Sequence, residues 1–186
     1  MVSQFISPDR VRLLGMLDFD FPEGTHAIGR LDRLSEGLLL LTTNKKVTKL
    51  LFQGEAPHKR TYMVRVLHHV TDESLKQIRT GVTIRVDNGA DYITQPCEAD
   101  IIKHPALPDH QLELRPNIPH TWLQISLCEG KFHQIRKMVA AVDHQCRRLV
   151  RTSIEDMELG DLPSGHVREY EEEEFFRLLK INNWRD

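Results

Sequence analysis

The sequence lacks the features that define several large classes of protein. None of its apolar runs approaches the roughly 18 consecutive residues that a membrane-spanning helix needs, and residues 1–4 lack the charged and apolar regions of a signal peptide. Its three cysteines, Cys97, Cys128 and Cys146, are widely spaced and odd in number, which excludes a disulfide framework and a C-x-x-C site. These absences predict a cytoplasmic protein that does not enter a membrane and whose cysteines are reduced, buried or inert.

Metal-ligand and nucleotide-binding patterns are also missing. The ten histidines include no H-x-x-x-H or H-E-x-x-H pair, and no His/Cys pair has the spacing of a zinc finger. His133 and His144 would lie about 16 Å apart along a helix, too far to share one ion. Glycine-rich G-x-G-x-x-G and G-x-x-x-x-G-K loops are absent. We therefore predict no metal site and no nucleotide cofactor.

Neither sign of charge dominates the chain, but the charges are segregated. The net charge is −2 over 186 residues. Residues 131–151 hold six Lys or Arg against one acid, whereas residues 155–174 hold nine acids against one Arg. Because phosphate binding depends on the local field rather than on the total charge, the basic segment remains compatible with RNA binding.

The composition, 40% hydrophobic and 28% charged, is that of a globular protein, and we expect a single domain over residues 1–186. Residues 1–28 are expected to be irregular, and the leucine run at 38–41 predicts a strand buried on both faces. Further strands are predicted at 59–66, 82–86, 98–102, 121–128, 147–151 and 157–159, and helices at 47–52, 71–79, 135–142 and 171–179. Strands and a few helices without regular βαβ alternation predict an α+β fold around a largely antiparallel sheet.

Asp32 is the first candidate functional residue. It lies between apolar Leu31 and the leucine-rich strand, with Arg30 and Arg33 beside it. A carboxylate at the mouth of a dry strand must be paired or lose its charge. An ionised, partly desolvated carboxylate can serve as a nucleophile or a base, but a salt-bridged acid at a turn has the same pattern.

The second candidate is the segment 129–138, where a strand ends, a glycine turn follows and a helix begins. Lys131, His133, Arg136 and Lys137 would bring cations and free backbone N–H groups to that turn. The segment is interpreted either as an anion cradle or as a solvated basic helix face. Tyr62, which alternates with Val64 and Val66 on a predicted strand, is either core or a ring facing a cleft.

These segments, in this order, resemble the RsuA/RluB/RluE/RluF family of RNA pseudouridine synthases. Residues 29–42 are similar to the family signature G-R-L-D-x-x-[ST]-x-G-L-L-L-L-T, in which the aspartate is catalytic. Residues 59–66 resemble its K-x-Y-x-V strand, residues 129–138 its E-G-[KR]-x-x-Q-[IV]-R-[RK]-M segment, and residues 159–169 its carboxyl-terminal motif. The triplet at 35–37 and the segment at 121–123 most resemble the RluE branch, whose members modify large-subunit ribosomal RNA.

The resemblance implies the pseudouridine-synthase fold and the isomerisation of one uridine in RNA to pseudouridine without a cofactor. It implies that Asp32 is the catalytic carboxylate, that Tyr62 stacks on the flipped base, and that Arg136 pairs with Asp32 and keeps it ionised. Asp32 would either add covalently or abstract the ribose 2′ proton, and the sequence leaves both routes open. The expected substrate-binding residues are Arg30, Arg33, Arg60, Lys131, His133, Ile135, Lys137 and Arg148.

Several departures from the family pattern lead to further expectations. The family's amino-terminal strand and the S4 RNA-binding domain of many members are not in this sequence, so we expect a chain truncated at its amino terminus. Arg60 replaces a usual Lys, and Asp143 stands where a helix-ending Gly is usual, in a left-handed conformation that Asp tolerates.

The expected partner is ribosomal RNA, preferably of the large subunit, bound by a monomer. The alternatives are a non-catalytic RNA-binding protein with this fold, a synthase acting on 16S ribosomal RNA or tRNA, and a carboxylate hydrolase. The hydrolase would combine Asp32 with Glu36 or Glu129.

Overall fold

The computed structural model describes residues 1–52, 57–107, 118–182 and 184–185. The strands are β1 (His26–Ile28), β2 (Glu36–Gly37), β3 (Leu40–Thr42), β4 (Arg60–Leu67), β5 (Thr83–Arg85), β6 (Asp91–Ile93), β7 (Glu98–Ile102), β8 (His120–Leu127), β9 (Cys146–Ile154) and β10 (Met157–Glu158). The helices are α1 (Lys46–Phe52), α2 (Asp72–Thr80), α3 (Gln134–Ala140) and α4 (Glu172–Leu178), with a 3₁₀ turn at Leu14–Met16. The chain divides into two compact units.

The first unit comprises Met1–His58 and Arg151–Asp186. In it β1 pairs antiparallel with β3, and the end of β9 forms a tight hairpin with β10. Its core combines apolar residues from these strands with residues of α1 and α4, and the fully buried Phe176 of α4 stacks on Trp184 with ring centroids 4.6 Å apart. From the carboxyl-terminal segment this unit buries the apolar face of α4 and the following residues Leu179 and Ile181.

The second unit comprises Lys59–Val150. Its strands follow the order β9, β4, β8 and β7, with β4–β8 and β7–β8 antiparallel, and β5 and β6 form a separate antiparallel hairpin. The strands β4 and β8 alternate as the sequence predicts, so that Val64, Val66, Leu123, Ile125 and Leu127 all enter one core. This core also receives the apolar faces of α2 and α3. The α+β prediction with a largely antiparallel sheet is confirmed.

Helix α2 illustrates how local signals set an element. Thr71 accepts a hydrogen bond at Oγ1 from the backbone N–H of Ser74, which satisfies one of the unpaired donors at the helix start. Leu75 and Ile78 are buried, and Gly81 ends the helix with a φ of 108°. The N-cap, the buried positions and the terminating glycine all agree with the sequence prediction.

The structure corrects two predictions about residues 1–42. Residues 26–28 form β1, although three residues are too few for a periodic pattern to be visible in the sequence. The leucine run is not buried on both faces, because Leu38 and Leu40 are buried whereas Leu39 and Leu41 are half-buried.

Residues 53–56 of the turn predicted before β4 lie outside the described residues. Among the helices that the structure describes, none is both long and apolar enough to cross a bilayer.

Candidate functional site

The loop that carries Asp32 runs from the end of β1 to β2 in the first unit. Asp32 is half-buried, and its backbone carbonyl accepts a hydrogen bond from the N–H of Ser35 at 2.8 Å, which tightens the turn. On the amino-terminal side, Ser3 Oγ accepts the N–H of Leu31 at 3.0 Å and donates to the Leu31 carbonyl at 3.2 Å. The residue before Asp32 is therefore held at both of its backbone polar groups by one buried hydroxyl.

The carboxyl-terminal side of the same loop is fixed by Arg151. The N–H of Leu38 donates to the carbonyl oxygen of Arg151, and Arg151 Nε donates to the carbonyl oxygen of Leu38, each at 2.8 Å. Gly37 has a φ of 100°, and a Cβ atom there would overlap the Arg151 carbonyl oxygen. The Asp32 loop is thus anchored at both ends, which limits the positions its carboxyl group can take.

The sequence does not predict the roles of Ser3 and Arg151. Ser3 is 28 residues from Leu31, and Arg151 is 113 residues from Leu38, so no local pattern connects the partners. Arg30 and Arg33, expected to bind substrate, are both exposed in the same loop. Two cations beside a half-buried carboxylate suit an anionic polymer such as RNA.

The second unit places Tyr62 and Arg136 on β4 and α3. Tyr62 is half-buried and packs against the core on the same face of β4 as Val64 and Val66. Arg136 is half-buried, and its Nη1 donates to Cys146 Sγ at 3.5 Å. Ile135, expected beside the base, is only 4% exposed and belongs to the core, so most of its side chain contacts protein.

The turn between β8 and α3 is organised by Glu129. Its Oε2 accepts the Tyr92 hydroxyl at 2.6 Å, and its Oε1 accepts both the N–H of Gln95 at 2.9 Å and the side-chain amide of Gln134. Gln134 Oε1 in turn accepts the backbone N–H of Lys131 at 2.8 Å. The backbone N–H of Lys131, one of the groups expected to form an anion cradle, is therefore already bonded within the protein.

This network also bears on the hydrolase alternative. A carboxylate whose oxygens already accept three hydrogen bonds from the protein has little capacity left to activate water. The same contact with Glu129, followed by burial, raises the pKa of the Tyr92 phenol above its ordinary value. Glu129 is a structural organiser of the turn, which argues against its use as a second catalytic carboxylate.

The remaining basic candidates have different surroundings. Lys131 is exposed with its Nζ 4.6 Å from the Tyr92 ring centroid, and Lys137 lies 3.9 Å from the carboxylate of Asp87. Arg60 is half-buried and donates from Nη2 to the Cys128 carbonyl at 3.4 Å, at the end of β8. His133 is half-buried and precedes α3 with a φ of 54°.

Arg148, which was expected to bind substrate, is only 7% exposed. A guanidinium that solvent barely reaches has little surface with which to contact a phosphate and displace the counterions condensed on RNA. In the basic run 147–151 of strand β9, Arg147 is exposed, whereas residues 148–151 are all buried, so this part of the strand is covered on both faces.

The cysteines also differ from one another. Burial raises the pKa of the Cys97 thiol to about 11 and raises the pKa of Cys146, where the Arg136 cation acts in the opposite direction. Cys128 is a free cysteine and is exposed. Over the described parts of the chain, no three His, Cys, Asp or Glu side chains are grouped as metal ligands would be.

Comparison with known proteins assigns the family. Residues 16–141 match the family model for RNA pseudouridylate synthase. The chain is 35% identical over 170 residues to the ribosomal large subunit pseudouridine synthase E of Vibrio parahaemolyticus, covering 90% of this chain and 68% of that protein. The protein of the same name from Vibrio vulnificus is also 35% identical, with 90% of this chain and 70% of the relative covered.

A solved structure agrees with this assignment at the level of the fold. A crystal structure of a pseudouridylate synthase superposes with a TM-score of 0.70 at 24% identity and covers 86% of this chain. This chain spans 63% of that solved chain, less than two thirds of its length. The names of the relatives match the branch that the sequence motifs resemble. The chain belongs to the RNA pseudouridylate synthase family, a family of RNA-modifying isomerases.

Proposed function

We propose that this chain isomerises a specific uridine of ribosomal RNA to pseudouridine in the cytoplasm, with Asp32 as the catalytic carboxylate. The observation that carries the proposal is the Asp32 loop, whose two ends are fixed by Ser3 and by Arg151. A carboxylate used for nucleophilic or base chemistry must be held within about 0.5 Å of its productive position, and such anchoring serves that need.

The reaction needs no external oxidant or cofactor. The bond between ribose C1′ and uracil N1 breaks, a bond between C1′ and C5 forms, C5 loses its proton and N1 gains one. In this proposal Asp32 either forms a transient covalent bond or removes the ribose 2′ proton. Tyr62 supplies a ring against which the extruded uracil stacks, and its hydroxyl can help to remove the C5 proton.

Arg136 is proposed to hold the Asp32 carboxylate in its charged form during the reaction. Its hydrogen bond to Cys146 supports this role by restricting the guanidinium, and its position in the short α3 restricts the backbone. The substrate contacts proposed are Arg30, Arg33, Arg60, Lys131, His133 and Lys137, which are exposed or half-buried.

The preferred substrate is large-subunit ribosomal RNA, acted on by a monomer. The two Vibrio relatives named for the large subunit support this choice. Small-subunit ribosomal RNA and tRNA are the competing substrates. Transcripts of all three, compared in one assay, distinguish these possibilities, and mapping of pseudouridine in a strain without this protein identifies the nucleotide.

The test is release of tritium from RNA labelled at uridine C5. The parent chain should release tritium, whereas Asp32→Asn should release none and still bind RNA. Asp20→Asn, an exposed aspartate of the same unit, is the matched control and should retain activity. RNA binding without release by the parent chain would favour the non-catalytic alternative, and strand cleavage or base loss on a gel would favour a hydrolase.

A further inference from the structure

Phe132 is an exposed aromatic residue on the turn that leads into α3. Its residue is 55% exposed, and its ring stacks on that of His133, with centroids 3.8 Å apart and planes 16° from parallel. Single exposed apolar residues are common and need no explanation by themselves. Here, however, the exposed Phe132 ring is already stacked on His133, and a further planar ring can add to such a stack.

One lysine contacts this aromatic pair, and a second lies next to it in the sequence. Lys137 Nζ lies 5.2 Å from the Phe132 ring centroid, and the neighbouring Lys131 is exposed. Asp87 approaches Lys137 only at 3.9 Å and is itself exposed, so it neutralises that lysine weakly. The lysine stem is flexible, so the Lys137 ammonium, which lies over the Phe132 ring, can move to a phosphate when a base stacks on that ring.

The turn is held in one shape before any ligand arrives. Gln134 accepts the N–H of Lys131 at its side chain and donates its own backbone N–H to the Lys131 carbonyl at 3.0 Å. Glu129 holds the Gln134 amide in turn. Because these bonds span the residues on both sides of Phe132, the backbone that presents the ring is already ordered and loses little entropy on binding.

We infer that Phe132, backed by His133, is a stacking platform for one unpaired nucleobase of the RNA substrate, with Lys131 and Lys137 beside its phosphates. The inference rests on the proposed function in taking RNA as the ligand. A phenyl ring offers no hydrogen-bonding group, so the platform accepts any unpaired base.

Fluorescence anisotropy with two labelled probes tests this inference on the full chain. The probes are single-stranded oligouridine of 12 nucleotides and a blunt RNA duplex of the same length. Phe132→Ala should weaken oligouridine binding about tenfold and leave duplex binding unchanged, because bases in a duplex are already stacked. Phe132→Trp should restore binding, whereas Phe132→Leu, which keeps apolar area without a ring, should not.

Salt dependence separates stacking from charge. Phe132→Ala should leave the slope of log K against log salt unchanged, whereas Lys137→Ala should reduce its magnitude by about 0.7. Ile101→Ala removes another exposed apolar side chain of the same unit and should change neither quantity. Circular dichroism of each variant checks that the fold persists.

Three outcomes would overturn the inference. Phe132→Ala could bind oligouridine as tightly as the parent chain, it could lose affinity equally for both probes, or Phe132→Leu could bind as tightly as Phe132→Trp. Failure of the parent chain to bind oligouridine would overturn it as well. A parent chain that binds through Phe132 but releases no tritium from labelled RNA would instead overturn the proposed catalysis and leave the platform standing.

Discussion

Arg136 donates a hydrogen bond from Nη1 to the Sγ of Cys146, 3.5 Å away on β9. The thiol is half-buried beside the core, so the contact holds the guanidinium against an apolar wall. Sulfur is a weak acceptor, and the contact matters chiefly because it restricts where the guanidinium lies. The ionisation of Cys146 therefore reports on the position of the charge that we assign to the active site.

This coupling predicts an effect of Arg136 on thiol reactivity. Burial raises the pKa of Cys146, and the Arg136 cation lowers it. Arg136→Ala removes the cation and should raise the pKa of Cys146 further, whereas Arg136→Lys should give a smaller rise. Alkylation by iodoacetamide as a function of pH, followed for each cysteine by mass spectrometry, measures this. Cys97 is the internal reference, and an unchanged Cys146 profile in Arg136→Ala would contradict the assigned contact.

Arg136 and Lys137 are adjacent in sequence but should differ in kinetics. Arg136→Ala should nearly abolish turnover, because it leaves Asp32 without the cation proposed to keep it charged. Lys137→Ala should mainly raise KM and reduce the salt dependence of RNA binding. Steady-state tritium release at two salt concentrations distinguishes these effects. Equal changes in kcat for the two variants would show that the roles are wrongly assigned.

Arg148 provides a further contrast with Lys137. Because Arg148 is buried, Arg148→Ala should lower the free energy of unfolding and leave the salt slope of RNA binding as it is in the parent chain. Urea unfolding and salt titration of the same preparation measure the two quantities. If Arg148→Ala reduced the salt slope as Lys137→Ala does and left stability unchanged, Arg148 would be a phosphate contact after all.

Much of the fold could be predicted because its signals are local. The N-cap at Thr71 and the alternation in β4 and β8 each lie within a few residues of the structure they specify. Asp143 takes a φ of 63° after α3, the left-handed conformation expected of a residue that replaces a terminating glycine. The short strand β1 has no comparable signal, since three residues cannot show a period.

The candidate site was predictable only in part. The family motifs identify Asp32 and Arg136, and the assignment to the family is confirmed. The groups that hold the Asp32 loop, Ser3 and Arg151, contact it from distant parts of the sequence. Tertiary packing brings these partners to the loop. A single sequence contains no short pattern from which such distant contacts can be predicted.

Gly37 offers a direct test of the anchor between Leu38 and Arg151. Gly37→Ala should destabilise the protein by roughly 3 kcal/mol, because it adds a clash with the Arg151 backbone to an unfavourable positive φ. Gly24→Ala is the matched control, since Gly24 has a φ of 81° but no heavy atom within 4 Å of the added Cβ. It should cost only about 1 kcal/mol. Urea unfolding that gave equal losses would show that the anchor contributes nothing.

The hydrogen bond from Tyr92 to Glu129 should make stability depend on alkaline pH. The folded state raises the pKa of the Tyr92 phenol above 10.0, so it holds this proton more tightly than the unfolded chain does. The resulting stabilisation is complete below pH 10 and is lost as the pH rises through the folded-state pKa. Tyr92→Phe should therefore be less stable than the parent chain by about 1 kcal/mol at pH 8, and this difference should shrink above pH 10.

Cys97, whose pKa is raised to about 11, contributes equally to both proteins and cancels in the comparison. Urea unfolding at pH 8 and pH 10.5 measures the difference, and a gap that stays constant between them would contradict the assigned bond.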